Sequence, residues 1–193
     1  MLSKGRVSEP HVKGVSFRSV LQALEALRGS EVVKNCTAQL PADLAEAFQY
    51  GTILATGWYP IQWYRALLDC ARKAAGAGEQ FLYQIGRQCM LQDTTGVYRA
   101  VFNLLSPQTT IRVTPRLFNN YSDTGTCSIT DAKSGYARVH WTNCEQFDRN
   151  MWCEIFGGAE QLLELSGAKH VRTRILAGGG DGDAMAELAG HWI

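Results

Sequence analysis

The chain has 193 residues, 46% of them apolar and 19% charged, which is enough apolar matter to build a core and too much for a disordered segment. Nineteen Lys and Arg against eighteen Asp and Glu leave a net charge of +1, so no broad positive field gathers phosphates and nucleic acid is excluded as the main partner. No stretch approaches the roughly 18 consecutive apolar residues of a membrane span, and Met1–Arg6 lacks the apolar core of an export signal. The expectation is a cytoplasmic protein with a flexible segment over residues 1–10 and a single α+β domain over residues 11–193.

In chain order, residues 11–19 alternate apolar and polar and predict a first strand, with a helix from Val20 to Arg28 ended by Gly29. Pro41 predicts a helix start ahead of Ala42–Phe48. The string Gly57-Trp58-Tyr59-Pro60-Ile61-Gln62-Trp63-Tyr64 gathers four aromatics around a proline that can open a helix but not sit inside one. Beyond it Ile61, Tyr64, Leu68, Ala71 and Ala75 form one apolar face, stopped at Gly76 and Gly78. A second, longer helix is expected from Glu79 to about Leu105, with Phe81, Ile85 and Cys89 on one line and Val97, Val101 and Leu104 on another. Ser106-Pro107 should end it, and Thr114-Pro115 should open a short helix through Tyr121.

Residues 126–132 and 136–142 flank Lys133-Ser134-Gly135 and read as a β-hairpin. Asn143 and Gln146 have the spacing of a capping box, and Phe147, Met151, Ile155, Gly158, Leu162 and Leu165 supply the buried face of a long third helix. Two strand candidates, 168–176 and 184–193, are joined by Gly178-Gly179-Gly180-Asp181-Gly182-Asp183. This order predicts an α+β fold, a small antiparallel sheet with long helices packed on one face.

Chemistry is sparse. The glycine run has no following Gly-Lys-Ser/Thr, and its aspartates would repel an anion, so a solvent-facing hairpin loop is expected rather than a phosphate cradle. His11, His140, His170 and His191 are paired with no second His or Cys at a metal spacing, so no metal ligands are assigned. The six cysteines, Cys36, Cys70, Cys89, Cys127, Cys144 and Cys153, form no Cys-x-x-Cys and are read as reduced thiols; a thiol nucleophile would need a histidine beside it in space. No nucleophile elbow or evident carboxylate pair promotes an enzyme. Arg138 with His140, and His170 with Arg172 and Arg174, alternate along two strand candidates and would form a basic patch if their faces coincide; the plain alternative is the solvated side of a half-buried sheet. Trp58, Tyr59, Trp63 and Tyr64 are either core or, where exposed, an interface of large rigid rings.

The strings Gly57-Trp58-Tyr59-Pro60, Thr95-Gly96-Val97-Tyr98-Arg99, Ser106-Pro107, Pro115-Arg116-Leu117-Phe118, Tyr121-Ser122-Asp123-Thr124-Gly125 and Leu165-Ser166-Gly167-Ala168 together resemble a myxobacterial protein family, over most of residues 14–193. That family is distantly similar to the superfamily of haem nitric-oxide-binding domains, vinyl-reductase-type small-molecule-binding domains and the lipid-binding subunits of vesicle-tethering (TRAPP) complexes. The resemblance implies an α+β ligand-binding or assembly module with a long-helix layer on a small antiparallel sheet. It does not imply haem, because the haem domains carry Tyr-x-Ser-x-Arg and a helical histidine, whereas Tyr121-Ser122-Asp123 departs from that pattern. Nor does it imply a metal at the last hairpin, where glycine and aspartate stand in place of the cysteines of vinyl-reductase-type domains.

The function expected is therefore a non-catalytic sensor or scaffold domain in signalling or regulation. It would hold a small apolar ligand between helices and sheet or engage a protein partner, a second copy of itself included, through the aromatic residues. No cofactor is assigned, with haem or an apolar ligand as the candidates; the alternatives are a haem-based gas sensor and a thiol-dependent enzyme.

Overall fold

A computed structural model describes residues 9–94 and 105–193. The first strand is short: β1 covers His11–Lys13, and helix α1 (Gly14–Arg28) begins where an alternating strand is predicted. The buried positions of α1, Gly14, Ser16, Phe17, Ser19, Val20, Ala23 and Leu24, follow a helical period, so the alternation in residues 11–19 was three strand residues running into a helix face. Gly14 is required at the junction, since a Cβ there would lie 2.0 Å from the Leu54 carbonyl oxygen.

Helices α2 (Ser30–Thr37) and α3 (Ala42–Gln49) follow, α3 starting directly after Pro41. Strand β2 (Trp58–Pro60) pairs antiparallel with β1, and α4 (Ile61–Ala74) opens at Pro60. The predicted face of α4 is buried at Ile61, Tyr64, Leu68 and Ala71. Helix α5 covers Gln80–Asp93 and buries Phe81, Ile85 and Cys89; the expected second line, Val97, Val101 and Leu104, lies outside the described residues.

Helix α6 (Pro107–Tyr121) starts earlier than predicted. Ser106 caps it by accepting from the Thr109 amide, Pro107 takes the first position, and Pro115 is accommodated inside the helix instead of opening it. The predicted hairpin is present as β3 (Thr126–Lys133) and β4 (Tyr136–Thr142), with a bulge between Ile129 and Asp131. The predicted capping box is not formed: Asn143 (φ 55°) and Gln146 (φ 62°) adopt left-handed turns, and Asp148 caps α7 (Arg149–Leu165) by accepting from the Met151 amide.

Strands β5 (Arg172–Gly178) and β6 (Ala186–His191) complete a four-stranded antiparallel sheet of order β3-β4-β6-β5. Helices lie on one face of it. Trp141 on β4 meets Trp152 edge-on at 6.4 Å and Phe156 at 6.0 Å, and Phe147 lies 5.0 Å from Trp152, a knot of rings joining sheet to α7. The glycine-rich loop is more than a solvent-facing turn. Asp181 accepts from the Arg149 amide at the start of α7, and the Asp183 carbonyl accepts from Trp152 Nε1.

Helices α5 and α7 cross in close contact. A Cβ on Gly86 would lie 1.8 Å from the Glu154 carbonyl oxygen, and one on Gly157 would lie 2.0 Å from that of Tyr83. With no side chains at these two positions the backbones touch, and the residues flanking them are brought into register across the seam.

Candidate functional site: an acid-lined apolar cavity

A cavity of about 140 Å³ lies where α1, α4, α5, α6 and α7 meet the inner face of the sheet. The helical faces that make it were laid down for burial, so most of its wall is apolar: Leu117 and Phe118 from α6, Phe147 before α7, Met151 and Ile155 on α7, and Trp141 from the sheet. The volume is close to that of an engineered apolar cavity of about 150 Å³ that accepts benzene.

The polar groups in this wall are unusual in sign. Asp93 at the end of α5 accepts from Ser19 Oγ at 2.6 Å and from the Tyr121 hydroxyl at 3.4 Å. Glu154 on α7 reaches the same space from beside the Gly86 contact. Glu154 as a whole is half-buried, and its carboxyl is packed within protein. The hydroxyl of Tyr64, a residue 3% exposed, lies within hydrogen-bonding reach of that carboxyl.

Burial, reinforced by the charge of Asp93, pushes the Glu154 carboxyl up to about 7, against which the Tyr64 hydroxyl acts weakly. Burial also raises Asp93, opposed by its bonds from Ser19 and Tyr121. Tyr64, Tyr121 and Cys89, all on the same wall, are raised by burial first and by the neighbouring carboxylates second. Among the described residues no Lys, Arg or His lines the cavity.

The residues predicted for a site are distributed over three places. Of the aromatic string, only Tyr64 lines the cavity. Trp58 is 41% exposed, under the Lys13 ammonium at 4.5 Å, while Tyr59 stacks on Trp63 at 6.2 Å and its hydroxyl donates to the Thr52 carbonyl. The faces of Arg138, His140, Arg172 and Arg174 do coincide. Arg138 and Arg174 both register on Ala189, and His140 registers on Glu187 of the same outer face. Glu187 pairs with Arg138 at 3.3 Å and tempers that patch.

Asp93 and Glu154 were missed by the sequence reading, though a signal was present. Asp93 continues the Phe81-Ile85-Cys89 line at the same spacing of four, and Glu154 falls three residues after Met151 and four before Gly158. An acid at a core position of a helical stripe is the mark of such a site.

Burial acts on the thiols in one direction. All six are free; burial pushes Cys36, Cys127 and Cys144 up to about 12 and raises Cys70, Cys89 and Cys153 as well, so neutral pH leaves them protonated.

Helices packed over one face of an antiparallel sheet, with a cavity between them, define an α+β fold. Among solved structures the chain is similar to H-NOX domains. The H-NOX protein of S. oneidensis in the Fe(II)NO state superimposes with TM-score 0.70 at 9% identity, over 94% of this chain and 99% of that one. The A71G mutant of the K. algicida H-NOX protein gives 0.67 at 14%, over 94% and 96%. An oxygen-binding H-NOX domain related to soluble guanylate cyclases gives 0.66 at 11%, over 93% and 94%. No protein-family model matches the chain, and no curated protein matches it by sequence. The likeness establishes the fold, in agreement with the superfamily resemblance read from the sequence.

The fold raises the question of haem, and the described cavity residues do not fit one. None of the four histidines lines the cavity: His11 is held by Asp123, His140 and His191 sit on the outer sheet face, and His170 lies in the loop before β5. Two carboxylates on the wall, with no described base, would repel propionates.

Proposed function

We propose that this protein is a sensor or regulatory module that encloses one small organic molecule in the cavity between its helices and its sheet. The carrying observation is the cavity itself: about 140 Å³, mostly apolar, and bounded by five helices and the sheet. Ligand entry would add contacts to α5, α6 and α7 together, which is how a bound molecule could alter the packing of helices seen by a partner. Likeness to H-NOX domains, one of which is an oxygen-binding domain, supports a ligand-binding role.

Trp141, on the cavity wall and 1% exposed, is the reporter. Titration of the full chain with toluene is expected to change tryptophan emission saturably and to raise the melting temperature. No change in either, with toluene up to its solubility, would overturn the reading.

The haem-based gas sensor is a second reading, favoured by the fold likeness alone. An absorption spectrum of protein made with haem supplementation decides it; a stoichiometric Soret band would establish haem, and its absence would remove it.

A further inference from the structure

We propose that the ligand of this cavity is a small apolar molecule bearing a protonated amine, held at its ammonium by Glu154 and Asp93 with its hydrocarbon part against Phe118, Phe147 and Met151. This rests on the cavity being a ligand site, and it adds the chemical class.

Three observations converge on a cation. Two carboxyl groups share one largely apolar space, an arrangement that costs free energy unless a positive charge or a proton enters. No described base is available to them: none of the ion pairs among the described residues includes Asp93 or Glu154. Beside them, the nearly fully buried Tyr64 carries a hydroxyl to the cavity wall next to the Glu154 carboxyl, and its oxygen keeps a lone pair that can accept from a third N–H.

Other ligand classes fit less well. An anion meets two acids. A wholly apolar molecule offers neither acid a donor. A bare metal ion lacks a ligand set, since no group of three or more His, Cys, Asp and Glu among the described residues could hold one. An ammonium supplies three donors for Glu154, Asp93 and Tyr64, and the apolar remainder of the wall matches a body about the size of a benzene ring.

The charges also set a signature. In the free protein Glu154, facing Asp93, Tyr64, Tyr121 and Cys89, holds a proton up to near neutral pH. An entering ammonium replaces that proton, so binding releases it to solvent.

Benzylamine, benzyl alcohol and toluene are the probes, with calorimetry on the full chain and on the Glu154→Gln and Asp93→Asn variants. The expected result is benzylamine binding at least tenfold tighter than benzyl alcohol at pH 7. Its heat should vary with buffer ionisation enthalpy in the sense of proton release. The preference should fall tenfold or more in Glu154→Gln, which still binds toluene. Asp93→Asn should lower the preference in the same direction. Toluene and benzyl alcohol binding with benzylamine no tighter would overturn the amine and leave the cavity reading intact. Failure of all three probes on folded wild-type protein would overturn both.

Discussion

Helices α5 and α7 carry two polar clusters that share a backbone crossing and differ in one component. In the first, Arg87 reaches Glu160 at 2.5 Å and Glu164 at 2.6 Å, while Tyr83 and Thr173 also donate to Glu160. In the second, Asp93 and Glu154 share a cavity with Tyr64, Tyr121 and Ser19 and no described base. Both clusters place two carboxylates near buried hydroxyls. The first cluster is closed by its own base and serves packing; the second opens onto the cavity.

The comparison can be broken most severely at the crossing that both clusters share. Gly86→Ala or Gly157→Ala forces a methyl into backbone at 1.8 or 2.0 Å, and each is expected to destabilise the protein by about 3 kcal/mol. On a chain of this length that is on the order of 10 °C in melting temperature, with loss of toluene binding in calorimetry. A variant that melts like wild type would show that the helices do not touch there.

Next in size, Arg87→Met is expected to cost about 2 kcal/mol in urea unfolding, because Glu160 and Glu164 lose their shared partner at a site only partly screened by solvent. The second cluster should respond in the opposite sense. Glu154 has a folded-state pKa near 7, raised above its ordinary value of 4.5 by burial and by Asp93, so the folded protein binds the proton more tightly than the unfolded chain. Stability should therefore decline as pH rises from about 4.5 through about 7 and stay lower above it, with Asp93, raised in the same direction, adding to the decline. Glu154→Gln should flatten that slope and stabilise the protein at pH 8 by about 1–2 kcal/mol, read as melting temperature against pH. An unchanged slope would show that Glu154 is solvated.

The smallest contrast is between two tyrosines. Tyr83→Phe removes a hydroxyl that bonds Glu160 and contacts Thr173 and should cost about 1 kcal/mol. Tyr64→Phe removes one that faces only the Glu154 carboxyl across the cavity wall and should cost less, about 0.5 kcal/mol in the absence of ligand.

The parts of the fold that were legible share a cause. The stripe of α4, the buried line Phe81-Ile85-Cys89 and the hairpin around Ser134-Gly135 are local patterns, in which period and turn chemistry suffice. Boundaries failed where a tertiary contact overrode such a pattern. Residues 14–19 became helix against the Leu54 loop, Pro115 was absorbed into α6, and Asp148 displaced Asn143 as the cap of α7. Of the site, Tyr64 was legible as part of an aromatic string, but Trp58 and Tyr59 diverged from it because neighbours in sequence point to different sides of the chain.

By itself the sequence determined the fold class and the helix-hairpin-helix-hairpin order of its second half, both of which follow from local periodicity and turn chemistry. Tertiary structure alone decided that Asp93 and Glu154, 61 positions apart in the chain, face the same enclosed space. Two glycines let α5 and α7 approach closely enough to bring them there, and the balance of charge in a buried space is set by which side chains converge on it, a property that no stretch of sequence holds.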